Sequence, residues 1–299
     1  MKPVSATPTS LQHGLSLSDV MKPDSVKYVA PLTYYGGKKR IAEWIIQFIP
    51  QHSIYCEPFF GGGAVFFAKQ PSYLEVINDK NAMLVNFYQQ IQDNFDIMAS
   101  KIQNTLHSEF QYYQAEKIYH GQIPADDIEK AVATWLVFNQ SWNASARAGW
   151  KFDQGSGGSH AGIVFAHARR NFCPWLRKRL QYVQISCRDA LQVIRDRDSA
   201  DTFFYLDPPY PGTNQGHYSG YSWENLESLL TTLQSIKGLF ALSNYPSSMI
   251  SEFSAENNWL LKETELKKDS NMASVKDSRK TEILLMNYQI SVPQQLSIF

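Results

Sequence analysis

Residues 203–210 read FFYLDPPY, an apolar run that ends in an acid, two prolines and an aromatic ring. The apolar residues predict a strand, and Asp207 falls at its carboxyl end, where open α/β sheets bind ligands. Pro208 and Pro209 fix φ and restrict their neighbours, which holds the local carbonyls in one direction. An ionised Asp207 accepts hydrogen bonds, the Pro208 carbonyl is a second acceptor, and Tyr210 offers a flat face. Two acceptors beside an aromatic plate suit a planar ring that carries an exocyclic NH2 group, such as adenine. That nitrogen is a poor nucleophile because its lone pair is delocalised into the ring. Accepting both of its hydrogens favours sp3 character and aims the lone pair at an electrophile, and the carboxylate favours the positive charge that grows there. The plainer reading of such a tetrapeptide is a strand end followed by a stiffened turn.

A second set of residues has the chemistry of a ligand loop. The segment "SIYCEPFFGGGAVFFAK" (53–69) reads as strand, glycine turn and helix, with Glu57 and Phe59 entering the turn and Gly61, Gly62 and Gly63 in it. Glycines let backbone approach a ligand closely, and a helix N-terminus favours negative groups. The run matches neither a dinucleotide fingerprint nor a phosphate loop, so a tight turn stays open as its only role. Asp79 ends the next strand about twenty residues on, where an acid can bind ribose hydroxyls or serve as a helix N-cap. Asp189, in "SCRDAL", also stands between a strand and a helix.

The elements that must carry these residues alternate. Strands are predicted at "SIYCE", "YLEVIND", "VQISCRD", "TFFYLD", "LFALSNY" and "TEILLMNY". Helices are predicted at "RIAEWIIQFIP", over 81–92, 94–107, 109–119 and 126–140, at "ALQVIRDR", and at "WENLESLLTTLQSIKG" with Ser222 as N-cap and Gly238 as stop. The stretch "SARAGWKFDQGSGGSHAGIVFAH" shows no clear period and reads as an exposed loop or hairpin. Strand–helix units at both ends of the chain, with a helical, loop-rich block between them, predict a doubly wound, mostly parallel α/β sheet bearing an inserted lobe. The expected division is a loose extension over 1–27, a catalytic domain from 28–92 and 181–299, and an inserted lobe over 93–180.

Lys+Arg and Asp+Glu are equal at 28 each, so the totals do not point to a polyanion. The distribution does. Between Asn139 and Arg188 eight basic residues face one acid; between Glu75 and Glu129 nine acids face three lysines. The basic stretch overlaps the irregular loop and its aromatics Trp142, Trp150 and Phe152, a composition that suits phosphate contacts and groove entry; part of it, "RRNFCPWLRKR", reads equally well as a solvated helix face. The three cysteines form no pair of ligand spacing, and no stretch approaches the ~18 apolar residues of a membrane span. The residues before Val26 lack the apolar core of a secretory signal. No metal-binding spacing of His or Cys is present, so no metal is expected.

In their order along the chain, "PLTYYGGKKR", "EPFFGGGAVFF", "NDKN", "LDPPY", "ALSNY" and "KTEILLMNY" resemble the motifs of the Dam-like, alpha-group DNA adenine-N6 methyltransferases. The resemblance covers roughly residues 31–290. It implies a Rossmann-like methyltransferase sheet, S-adenosylmethionine as cofactor, and a double-stranded DNA substrate from which the target adenine is flipped to reach Asp207, Pro208, Pro209 and Tyr210. It implies cofactor contacts from Tyr34, Gly37, Lys38, Glu57, Phe59, Gly61, Gly63, Asp79, Asp189 and Asp207, with Lys38 near the cofactor's carboxylate and Asp189 on its adenine. The plain alternatives are a solvated Lys38 and an N-capping Asp189; Arg188 stands where the family usually has Gly. It implies DNA contacts from the inserted lobe, with Asn139, Arg147, Lys151, Arg169 and Arg170 as candidates and Tyr218 as a stacking partner or an ordinary loop residue. Here "FNQSWNASARAGW" departs from the N-R-x-x-F-N-G pattern of many members, which leaves the recognition sequence open. The expected setting is cytoplasmic, on intracellular DNA of a bacterium or phage, mostly as a monomer with a dimer as the alternative, and with a separately encoded restriction endonuclease as a possible partner. Two alternatives stand beside it: the same fold acting on another amino group (cytosine N4, RNA adenine or a protein amide), and a DNA-binding module without chemistry. Asp rather than Ser or Asn at position 207 tilts toward adenine.

Overall fold

A computed structural model describes residues 29–34, 36–146, 148–153, 160–213, 220–267 and 279–290. The expected N-terminal extension lies outside the described residues, as do Arg147 and Tyr218.

Seven strands form one sheet in the order β3-β2-β1-β4-β5-β7-β6. They are β1 (Ile54–Glu57), β2 (Leu74–Asn78), β3 (Gln184–Ser186), β4 (Thr202–Leu206), β5 (Leu239–Asn244), β6 (Leu260–Lys267) and β7 (Arg279–Met286). The first five are parallel; β7 runs antiparallel to β5 and β6. The strand period of two divides the core. Tyr55, Phe203, Tyr205, Leu284 and Met286 join one cluster, while Cys56, Phe204, Leu206, Ile283 and Leu285 join the other. Burial on both faces explains why these strands read as unbroken apolar runs.

The second cluster is covered by α9 (Ala190–Arg197), α10 (Trp223–Gln234) and α11 (Ser248–Asn257). On the other face lie α1 (Ala42–Ile46), α2 (Ala64–Ala68) and α3 (Ala82–Asp93). The same cluster runs on into α4 (Phe95–Gln103), α5 (Glu109–Tyr119), α6 (Asp127–Gln140), α7 (Ala161–Asn171) and α8 (Trp175–Leu180). Trp135, Phe165 and Leu176 of this helical block are therefore buried in one core with Tyr55 of the sheet and Phe66 of α2.

Local signals set several boundaries. Ser222 accepts a hydrogen bond from the amide of Asn225 and caps α10 as expected, but the helix ends at Gln234, short of Gly238. Gly238 instead opens β5 where a Cβ would stand 2.7 Å from the Thr202 carbonyl. Asp126 and Glu129 form a capping box that starts α6. Two expectations are corrected. β6 was not anticipated, because "LLKETELK", at the sheet edge, is mostly polar and charged and has neither an apolar run nor a clean alternation. The second half of the presumed loop is helix α7, held by the burial of Phe165 and Ala161.

Candidate active site

Asp207 follows β4 directly, on the face of Phe203 and Tyr205. Its carboxylate is one-fifth exposed, and its Oδ1 lies 2.7 Å from the Lys38 ammonium. The same oxygen accepts the Tyr210 hydroxyl at 3.2 Å. Among the described residues Oδ2 and the Pro208 carbonyl take no hydrogen bond. The ion pair therefore occupies one acceptor of the strand tip and leaves two. Burial raises the Asp207 pKa above the usual carboxylate range, against the pull of Lys38 and of the Tyr210 hydroxyl. At Lys38 burial favours the neutral amine, but Asp207 and Glu282 outweigh it and hold the group charged.

The glycines of the 34–38 turn place that lysine. The Gly37 amide closes the turn on the Tyr34 carbonyl, and Lys38 folds back so that Nζ donates to the Gly36 carbonyl at 3.0 Å. A Cβ at Gly37 would stand 2.9 Å from the Tyr34 carbonyl oxygen. Tyr34 in turn lies over the second glycine turn, where a Cβ at Gly61 or Gly62 would meet it at 2.9 or 2.7 Å. Gly63 adopts φ +64 and leaves room for the Phe60 ring, 2.5 Å from where its Cβ would be. The two glycine-rich motifs are thus parts of one contact.

Four acids stand at or just past the carboxyl ends of the consecutive strands β1 to β4. Glu57 is buried with Tyr55 donating to Oε2 at 2.9 Å, and burial pushes its carboxyl well above the usual range. Asp79 is buried and uses both oxygens, accepting the Gly61 amide at 2.8 Å and the Asn81 amide at 2.9 Å. It shapes the glycine turn, while the cap of α3 is Asn81. Asp189 is exposed and is the cap of α9: its Oδ1 accepts the amides of Leu191 and Gln192. Phe59 meets Tyr221 edge-on at 6.3 Å between ring centres. Gly61 and Gly62 lie so close to Tyr34 that neither has room for a side chain.

The candidate DNA residues are less closely gathered. Asn139 spends its whole amide internally: Oδ1 accepts from Thr33 N and Oγ1, and Nδ2 donates to the carbonyls of Pro31 and Trp135. It fastens the 31–33 segment to α6. Arg169 donates to the carbonyls of Gln103 and Thr105 and ties α7 to α4. Arg170 is exposed and Lys151 half-buried. The basic excess of the segment is partly spent inside the fold. Arg179 is buried in a triad with Glu75 and Lys69, Arg177 faces Asp96 at 3.4 Å, and Arg188 faces Asp196 at 2.6 Å.

Sequence reasoning missed Glu282 on β7, which accepts the Tyr210 hydroxyl and lies 3.4 Å from Lys38 Nζ. The signal was present: Glu282 is in phase with Leu284 and Met286, so a carboxylate points to the face those residues bury. Tyr245, after β5, sets its ring edge-on to Tyr210 at 4.6 Å.

A strand-tip Asp-Pro-Pro-Tyr, with acids and glycine turns at the carboxyl ends of the neighbouring strands of a 3-2-1-4-5-7-6 sheet, is an arrangement that suits an amino-group methyltransferase. Residues 34–275 match the family model of the D12 class N6 adenine-specific DNA methyltransferases, and the chain belongs to that family. It is 26% identical to the type II methyltransferase M1.LlaDCHI of Lactococcus lactis subsp. cremoris, over 85% of this chain and 93% of that protein. It is 31% identical to the DNA N-6-adenine-methyltransferase of Escherichia phage P1, over 66% of this chain and 27% of that protein. The type II methyltransferase M.MjaIII of Methanocaldococcus jannaschii is 26% identical over 62% of this chain and 70% of its own length. Among the described residues no helix is long and apolar enough to cross a membrane.

Proposed function

We propose that this chain methylates N6 of a flipped-out adenine within a specific sequence of double-stranded DNA, using S-adenosylmethionine. The observation that carries the residue assignment is the strand tip itself. Among the described residues Asp207 Oδ2 and the Pro208 carbonyl, acceptors on adjacent residues of a turn stiffened by two prolines, take no hydrogen bond. They accept the two hydrogens of the amino group and direct its lone pair. The Asp207 carboxylate offsets the positive charge that grows on nitrogen, and Lys38 opposes the burial that favours its protonation. Tyr210 supplies the ring beside which the base is held. S-adenosylmethionine supplies an electrophilic methyl group on a sulfonium. Its contacts are assigned to Tyr34, Gly37, Glu57, Phe59, Gly61, Gly63, Asp79 and Asp189; Lys38, whose ammonium is taken up by the Gly36 carbonyl, Asp207 and Glu282, is assigned to holding Asp207 instead.

The block over 93–180 is proposed as the target-recognition lobe, with Lys151 and Arg170 toward phosphate. Arg147 and Tyr218 remain candidates on sequence grounds. A monomer acting on intracellular DNA, alone or beside a separately encoded endonuclease, completes the reading. The test is methyl transfer to DNA, RNA and protein with the product nucleosides separated, joined to methylated-base sequencing of DNA from cells that express the chain. N6-methyladenine in one sequence context is expected. N4-methylcytosine as the product, or methylation confined to RNA or protein, overturns the proposal.

A further inference from the structure

Three hydrogens of the Lys38 ammonium face three acceptors: the Gly36 carbonyl at 3.0 Å, Asp207 Oδ1 at 2.7 Å and Glu282 Oε1 at 3.4 Å. Glu282 is only 3% exposed and comes from β7, which runs against the parallel strands. The register that sets Asn244 opposite Ile283 carries Glu282 past the end of β5. There it stands level with the turn after β4 and accepts the Tyr210 hydroxyl. A carboxylate in that position costs desolvation free energy, and an apolar strand residue would avoid the cost. Its partners are the lysine that ion-pairs with Asp207 and the ring that belongs to the Asp-Pro-Pro-Tyr turn.

We infer that Glu282 is a positioning residue for base methylation: it fixes the Tyr210 ring and the Lys38 ammonium so that Asp207 presents Oδ2 to the target amino group. The inference rests on the assignment of Asp207 above. Glu282 touches neither base nor cofactor in this scheme. It sets the direction of two groups that do the holding, and a misplacement of about 1 Å in such groups can cost on the order of 100-fold in rate. A buried polar staple with no part in the reaction predicts something different. A staple exchanged for an apolar pair of similar size keeps its rate and is often no less stable.

The groups facing Glu282 are Lys38, Asp207 and Tyr210, with Tyr205 behind them. Removing its charge takes a like charge from the neighbourhood of Asp207 and leaves Lys38 to Asp207 alone. Asp207 then stays ionised to lower pH, so the acid limb of the rate moves down.

The experiment measures transfer of a tritiated methyl from S-adenosylmethionine to phage DNA that lacks N6-methyladenine, from pH 5 to 9. Rates are normalised to folded protein by cofactor binding. Glu282→Gln is expected to lower kcat about 10- to 100-fold with both KM values changed less than about threefold, and to shift the acid limb downward. Tyr210→Phe combined with Glu282→Gln is expected to lose little beyond Glu282→Gln alone, because the two act as one unit. Glu282→Asp, which keeps the charge, is expected to recover part of the rate and carries the test if Glu282→Gln folds poorly. Full kcat per folded molecule with an unmoved acid limb in Glu282→Gln, or in Glu282→Met paired with Tyr210→Phe, overturns the inference. Asp207→Ala runs alongside: if it too keeps full rate, the Asp207 assignment has failed; if it is inactive, only the role of Glu282 has.

Discussion

Replacing Asp207 by Ala removes an acceptor, a charge and one end of an ion pair, and the structure separates the three consequences. The hydrogen bond from the amino group to a charged acceptor contributes about 1.5–3 kcal/mol. Electrostatic stabilisation by one fixed group at a reacting centre is worth roughly 3–4 kcal/mol. These overlap, since the same carboxylate supplies both, so about 4 kcal/mol is expected, or on the order of 10³ in rate. The stability cost is smaller than for an isolated buried charge, because Lys38 keeps Glu282 at 3.4 Å after losing Asp207. About 1–2 kcal/mol is expected against roughly 3–5 for a charge left without any partner. Asp207→Asn retains an oxygen acceptor without the charge and is expected to lose about 100-fold, between the two. Single-turnover methyl transfer gives the rates, urea unfolding the stabilities, and gel shift the DNA affinity, expected within about threefold of the parent because phosphate contacts dominate affinity. If Asp207→Ala transfers methyl within tenfold of the parent, the strand tip does not hold the amino group and the mechanism is wrong. If Asp207→Asn loses as much as Asp207→Ala, the acceptor geometry contributes nothing beyond charge.

Gly63→Ala must place a Cβ at φ +64 and 2.5 Å from the Phe60 ring, so the free energy of unfolding is expected to fall by roughly 2–4 kcal/mol in a urea titration. Arg179→Met leaves Glu75 with Lys69 at 2.5 Å but removes the bonds from α8 to Glu75 and to the Phe66 carbonyl; a loss of about 3 kcal/mol is expected by the same method. In the proposed mechanism the ionised form of Asp207 is the active one, and burial raises its pKa, so kcat is expected to fall, with decreasing pH, at a pH above that of an ordinary aspartate. Stability responds with opposite signs. Burial raises the folded pKa of Asp207, Glu57 and Glu282, so these groups bind protons more tightly in the native state and favour folding as pH falls toward the unfolded values. Glu75, whose folded pKa is lowered, loses its stabilisation as pH falls through that value. Scanning calorimetry from pH 3 to 8 separates the two, with Glu75→Gln removing the acid-side loss.

Much of the site was legible because strand periodicity and punctuation are local properties. An apolar run that ends in Asp-Pro-Pro-Tyr, and a strand that ends in glycines, announce strand tips without any knowledge of the fold. Asp207, Glu57 and Asp79 therefore stand at strand ends as read, and four of the long helices fall within a few residues of their expected spans. The sequence could not show how side chains divide their hydrogen bonds, because partners come from far along the chain. Asn139 looked available to DNA, yet its amide is consumed by residues 31–33, more than a hundred positions away. The basic segment looked like a phosphate surface, yet Arg179 is buried against Glu75 and exposed Arg177 pairs with Asp96, acids that only folding brings near.

By itself the chain determined the strands of the sheet other than β6, most of its long helices and the residues at the tips of β1, β2 and β4, since alternation, capping and proline act over a few residues. Tertiary structure decided the rest. Antiparallel β7 carries Glu282 to Tyr210 and Lys38, and the glycine turns of residues 36–37 and 61–63 close against Tyr34. A carboxylate's role depends on what lies within about 3 Å of it, and at this site those neighbours come from opposite ends of the chain.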